Sequence, residues 1–509
     1  MPTARIILDG RGVDRDAVLQ QGRRAAAGLH ALGVREGDIV AVLLRNDFAF
    51  FEAQTAAAAL GAYCVPINWH GRPDEVRYVL DDAKPKVLVA HADLLAPLRG
   101  TLPAGLQVLV VPTPPEIAAG YALAPEQTEA LPGDVVWPEW AAGFEPWAGP
   151  ALRARATMIY TSGTTGHPKG VRRDPATPEQ TAAYAKMLER VYGLVPGSRC
   201  LIPGPLYHAS PNAYGRQALP GAELIVLHSR FDPEATLAAI QQHRITHAVM
   251  VPTMFARLLK LPREIRDRYD VGSIRWVTHT GAPCAAEVKR EFMQWWGPVV
   301  YETYGGTEVG TATLATPDDA LQYPGSVGVP TPGTRIAFYD ENGRRLPEGE
   351  VGEIYMRVPC YADFTYHKHP AKRAGVERDG LISVGDIGYL KDGHLYLCDR
   401  RADMVIIGGT NVYPAETEMA LMQCPGVQDC AVFGIPDDDM GEQLAAAVEL
   451  QPGARLGADE IRQWLRERLA SVKVPRRIDF HDRLPRQDSG KIFKRQLRDP
   501  FWQNAGRKI

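Results

Sequence analysis

DAVLQQGRRAAAGLHALGVREGDIVAVLL, residues 16–44, is the stretch from which the fold is read. Val18, Leu19, Ala25, Leu29 and Leu32 recur at helical spacing, so the pattern predicts a helix over 16–32. Gly37-Asp38 breaks it, and the β-rich run 39–44 follows. A helix therefore feeds a strand. Outward from there the alternation continues as helix 50–60, strand 62–67, helix 74–80 and strand 87–90, and it returns between 199 and 280. Helices alternating with buried strands predict parallel, doubly wound α/β sheets. Residues 112–149, rich in proline, alanine and acidic side chains with weak periodicity, are expected to be a peripheral excursion without function. From Gly325 short strands broken by Gly and Pro (334–339, 352–358, 394–398) predict an antiparallel or barrel-like unit. After Asp399 come strand 404–407, helix 415–423, strand 429–434 and an amphipathic helix 458–471, a compact α+β arrangement. The boundary is set at 399/400, giving a large amino-terminal domain, 1–399, and a small carboxyl-terminal one, 400–509.

A chain of 509 residues exceeds one compact core at roughly 100–200 residues per domain. Its 45% hydrophobic and 23% charged content is that of a globular protein able to bury a large interior. Lys plus Arg (57) nearly balances Asp plus Glu (60), and no long run of like charge points to nucleic acid as a partner. The seven cysteines form no CxxC pair, which argues for reduced thiols and against a zinc site. His243 with His247, and His367 with His369, come without a third ligand and favour loop or surface roles. No apolar run reaches the ~18 residues needed to span a bilayer, and the amino terminus does not resemble a secretion signal. A cytoplasmic location is expected.

Four segments carry candidate chemistry. The strand ATMIY (156–160) runs into TSGTTGHPKG (161–170), whose hydroxyls, glycines and Lys169 suit a polyphosphate: Gly163 and Gly166 let backbone N–H groups approach, Thr161, Ser162, Thr164 and Thr165 add donors, and Lys169 adds charge. Its G-x-x-G-x-x-K spacing is not that of a Walker loop; taken alone, the segment also reads as a solvated turn. In YETYGGTEVG (301–310), Tyr304 offers a face to a base, Thr307 a donor to a phosphate, and Glu308 an oxygen ligand to Mg2+, with Glu302 and Thr303 on the same run. The plainer alternative is a strand-to-turn corner. In the segment 383–418, Asp386 suits vicinal ribose hydroxyls and Arg400 suits phosphate or sugar oxygens, or they are a turn former and a surface ion-pair member. In LPRQDSGKIFKRQL (484–497), a Ser489-Gly490 turn presents Lys491.

Taken together and in this order, these segments resemble the adenylate-forming superfamily of acyl-CoA synthetases, peptide-synthetase adenylation domains and luciferases, from about 16 to 497. The resemblance implies that 161–169 grips the β and γ phosphates, with Thr161 and Glu308 toward Mg2+. It makes Thr280-Gly281-Ala282-Pro283 the adenine-side turn, Asp386 the ribose ligand, Arg400 the hinge arginine and Lys491 the lysine steering carboxylate and α-phosphate. It also implies a mobile carboxyl-terminal domain whose rotation brings 407–411 to the thiol entry, where Gly408 and Gly409 would leave room for a pantetheine arm; a helix-preceding turn explains them equally well. Ala402 departs from the pattern, since the position two after the hinge arginine is often acidic or lysine. Family analogy lines the acyl pocket with Tyr207, His208, Pro211, Asn212, Thr253, Thr280, Gly281, Gly305 and Gly306. The three glycines would leave volume for a bulky aromatic, alicyclic or longer acid, and His208 would gate the pocket or cap a turn. ATP, Mg2+ and coenzyme A are the expected cofactors, the acid and coenzyme A the expected partners. A carrier-protein phosphopantetheine is the alternative acceptor, and a homodimer stays open.

Overall fold

The computed structural model describes residues 4–150, 152–161, 168–486 and 492–503. The run IVAVL, Ile39–Leu43, is a strand buried at every position, as befits a parallel sheet covered on both faces. It sits in an all-parallel sheet ordered Tyr63–Pro66, Ile39–Leu43, Val87–His91, Gln107–Val111, Val135–Val136. A second, larger sheet runs in order through Val300–Gly306, Trp276–His279, His247–Met250, Arg199–Ile202, Leu224–Leu227 and Arg5–Leu8, all parallel, with antiparallel strands added at both edges.

The helix Phe48–Ala59 ties the two sheets together. Asp47 caps it by accepting the Phe48 N–H at 2.7 Å. Phe50 and Phe51 are fully buried in a core that also holds Val40 and Val42 from one sheet and Cys200 and Ile202 from the other. Each such aromatic contributes about 1.5–3 kcal/mol of burial.

The region 112–149 is not a peripheral excursion. Trp137, on the helix Trp137–Ala142, is fully buried and donates its indole N–H to Glu52 at 2.7 Å, and Ile117 and Ala141 are equally buried. A few large apolar side chains anchor a segment whose average composition looked solvated. Other boundaries move by a few residues: the helix expected over 458–471 is Ala458–Arg466, and the strand expected over 429–434 is Val427–Asp437.

The unit after Gly325 is an antiparallel sheet built from Arg345–Leu346, Arg335–Tyr339, Gly352–Arg357, Leu381–Lys391 and Glu377–Arg378, with His394–Arg400 paired to Leu381–Lys391. The chain leaves it at Arg400 and enters the last sheet at Val405, where Val405–Ile407, Gly441–Leu450 and Val427–Asp437 pack with the helices Pro414–Met422 and Ala458–Arg466. The whole is mixed α/β, a large amino-terminal domain followed by a smaller carboxyl-terminal one. Among the described residues no helix is long and apolar enough to cross a membrane.

Candidate active site

The strands Ile159–Thr161 and Lys169–Arg173 pair antiparallel with Thr161 opposite Lys169, so both ends of the hydroxyl-rich segment stand side by side. Ser162, Gly163, Thr164, Thr165 and Gly166 lie outside the described residues. A third strand, Phe364–Tyr366, pairs with Lys169–Arg173 and sets Tyr366 opposite Val171. Tyr366 is the link that sequence reasoning missed. Its hydroxyl donates to Glu308 Oε1 at 3.1 Å, and its ring centroid lies 5.3 Å from the Lys169 ammonium, within cation–π range. The aromatic pair Phe364 and Tyr366 was the sole trace of it in the sequence. Burial pushes the Lys169 ammonium down from its ordinary range, the nearby Lys372 adds to this, and Glu308 pulls the other way.

The strand Val300–Gly306 turns back into Gly310–Ala315, with a bulge between Tyr304 and Gly305. Tyr304 is buried among Val171, Ile382 and Leu395, and its hydroxyl donates to Asp386 Oδ2 at 2.8 Å. Asp386 and Arg400 are cross-strand partners, and Arg400 Nε lies 3.4 Å from Asp386 Oδ1. Register thus unites Tyr304, Asp386 and Arg400. The backbone carbonyls of Thr307 and Glu308 both accept from Arg173, at 2.8 and 2.9 Å. Thr280 Oγ1 donates to the Thr303 carbonyl at 2.8 Å, which fastens the 280–283 turn to the same strand. In that turn Gly281 has φ +89°, while Gly281 and Pro283 are exposed and Ala282 is partly buried.

Glu302 turns away from this cluster. Its carboxylate meets the Lys289 ammonium at 2.5 Å and lies 3.7 Å from His279 Nε2, all three buried. The glycines read as pocket volume have a different reason to be glycine. A Cβ on Gly305 would stand 1.9 Å from the Gly310 carbonyl oxygen, and one on Gly306 would stand 2.9 Å from Val384 Cγ1. The close return of the hairpin demands the first, and the packing of Val384 from the strand Leu381–Lys391 crowds the second. Tyr207 packs 4.1 Å, centroid to centroid, from His208 and edge-on against Trp69, and its hydroxyl lies 3.3 Å from His70 Nδ1. His208 stands at the N-cap of the helix Ala209–Ala218 without a side-chain capping bond. Asn212 is spent on local bonds to Gln54, Thr157 and the Leu206 carbonyl.

Gly408 and Gly409, at φ +55° and +81°, form the two-residue turn between Val405–Ile407 and Thr410–Val412, where a tight hairpin needs left-handed residues. They precede a strand, not a helix. Lys491 lies outside the described residues. Ala402, next to the domain transition, gives its carbonyl to Arg498 at 3.3 Å.

Models of the AMP-binding enzyme family and of the AMP-binding enzyme C-terminal domain match residues 6–363 and 416–491. This chain belongs to the AMP-binding enzyme family. Among relatives of this AMP-binding enzyme, a feruloyl-CoA synthase of Amycolatopsis sp is 35% identical over 94% of this chain and 92% of its own. The fatty acid–[acyl-carrier-protein] ligase ScoC of Streptomyces coeruleorubidus is 31% identical over 100% of this chain and 95% of its own. The crystal structure of ATP-bound MatB from Rhodopseudomonas palustris superposes with a TM-score of 0.83 at 29% identity, covering 98% of this chain and 96% of that one.

Proposed function

We propose that this AMP-binding enzyme activates a carboxylic acid with ATP to an acyl-adenylate, releasing pyrophosphate, and then forms the acyl-CoA thioester, releasing AMP. One observation carries the reading: a single short hairpin is joined at Tyr304 to Asp386 and Arg400, and at Glu308 through Tyr366 to Lys169. Groups suited to ribose and groups suited to polyphosphate thus meet on one scaffold. The feruloyl-CoA synthase likeness supports coenzyme A as acceptor. The carrier-protein ligase likeness keeps phosphopantetheine on a carrier protein as the second reading.

Attack of a carboxylate on the α-phosphate brings two anions together, so catalysis is positioning and charge neutralisation. Lys169 and Lys491 supply positive charge, the second from the carboxyl-terminal domain, for which we keep the division 1–399 and 400–509. Glu308 and Thr161 offer hard oxygen donors that fit Mg2+. Among the described residues no group of three or more His, Cys, Asp or Glu side chains could hold a metal alone, so polyphosphate oxygens would complete the set. Bound there, Mg2+ neutralises phosphate charge. The acid is bulky: aromatic, alicyclic or of medium to long chain. The feruloyl-CoA synthase likeness supports this.

The test is to incubate purified protein with ATP, Mg2+, coenzyme A and a mixed acid library and to read AMP and thioesters by mass. Both products are expected. No AMP with any acid ends the adenylation reading, AMP without thioester shifts the acceptor to a carrier protein, and acetate outperforming every bulky acid removes the pocket assignment.

A further inference from the structure

Arg173 belongs to no motif read from the sequence, yet it is the hub between two of them. It ends the strand Lys169–Arg173 that leaves the phosphate segment. Its Nη2 donates to the carbonyls of Thr307 and Glu308, and its Nη1 donates to the carbonyl of Ala362 at 2.7 Å. The guanidinium also lies 4.9 Å from the centre of the Tyr361 ring. Tyr361 in turn accepts the Thr311 N–H at 3.2 Å on the returning strand of the hairpin. Among the described residues no carboxylate pairs with Arg173 within 4 Å; carbonyl dipoles and an aromatic face surround its charge. Burial accordingly pushes the guanidinium down from its ordinary range, with Tyr361, Tyr184 and Glu308 opposing.

Two successive carbonyls held on one guanidinium nitrogen fix the peptide planes at 307 and 308, and with them the direction in which Thr307 and Glu308 leave the chain. A planar fork places its donors on separate nitrogens in a fixed geometry that suits carbonyls approached from two sides, whereas a lysine ammonium carries its three donors on one nitrogen at the end of a flexible stem. We infer that Arg173 is a positioning residue for the metal–phosphate end of the site, locking the 307–308 turn to the strand that carries Lys169 so that Glu308 and Lys169 act on the same phosphates. The inference rests on the adenylation reading.

The experiment uses the full chain and the R173M and R173K variants, with ATP as the probe. Calorimetric titration of ATP with and without Mg2+ isolates the part of the affinity that Mg2+ supplies. Acid-dependent pyrophosphate exchange at varied Mg2+ follows, using the acid selected from the library. Loss of hydrogen bonds made by a charged donor corresponds to about 10- to 100-fold. R173M is expected to lose that much of the Mg2+-dependent gain in ATP affinity and of the exchange rate, while metal-free ATP binding stays within about threefold. R173K, which keeps the charge and serves if R173M fails to fold, is expected to fall between R173M and the unmodified protein. Variants that lose only thermal stability, with the Mg2+-dependent gain intact, overturn the positioning role. An unmodified protein that binds MgATP with this Arg173 dependence but makes no AMP with any acid overturns the adenylation reading instead.

Discussion

Lys289 and Lys169 both sit beside a glutamate of the same hairpin, and they have opposite characters. Lys289 is fully buried, with Glu302 at 2.5 Å and His279 alongside, so the cluster closes its own charge. Lys169 is partly exposed, and among the described residues no carboxylate lies within ion-pair distance of it. It faces a tyrosine ring, feels a second lysine, and reaches Glu308 only through Tyr366. A closed cluster holds a strand in place, whereas a cluster left short of negative charge is ready for an anion. The two lysines differ in burial and in counter-charge, and it is the counter-charge missing among the described residues that suits Lys169 to the proposed phosphate role.

The largest effect should come from breaking the closed cluster. K289M leaves Glu302 buried and unpaired, which costs about 3–5 kcal/mol of stability in denaturant titrations, and adding E302L should restore most of it. An unchanged midpoint for K289M would mean that the pair does not hold the strand. The open cluster should answer the other way. K169M is expected to slow acid-dependent pyrophosphate exchange by about 10²- to 10³-fold while stability stays within about 0.5 kcal/mol, and the reverse outcome would erase the contrast. Between the two lies Tyr304. Y304F removes the donor to Asp386 and should raise KM for ATP roughly tenfold with kcat changed far less; an unaltered KM would detach Asp386 from ribose binding.

The closed cluster also carries a pH dependence. Burial, reinforced by Lys289 and opposed by Glu302, pushes His279 down from 6.5 to about 4. Between those values the unfolded chain holds a proton that the folded one does not. Its contribution to stability is therefore present above pH 6.5 and lost as pH falls toward 4, by at most about 1.4 kcal/mol per pH unit. The difference between the unmodified protein and H279Q, followed by urea denaturation from pH 7 to 4.5, should show that slope, and parallel curves would contradict it.

The candidate chemistry was read from contiguous residues: the hydroxyls and lysine of 161–169 and the Thr307-Glu308 pair suggested phosphate and cation by their own functional groups, and these roles belong to the proposed function. The parallel sheets were legible, because a strand buried on both faces is apolar throughout. Tyr366 and Arg173 were not, since each gains its role from a three-stranded sheet that joins 169–173 to 364–366, and no local pattern encodes that pairing. Gly305 misled for a related reason: a missing side chain looks alike whether a ligand or a neighbouring carbonyl needs the space. Trp137 misled because averaging over 112–149 hid one large buried ring.

By itself the sequence determined which functional groups the protein owns and which face of each helix and strand is apolar, since these are properties of side chains and their spacing. Only the tertiary structure decided that Asp386 meets Tyr304, that Lys289 is neutralised while among the described residues no carboxylate pairs with Lys169, and that Arg173 holds the 307–308 turn. Those outcomes depend on distances between residues far apart in the chain, and register and burial, not composition, set such distances.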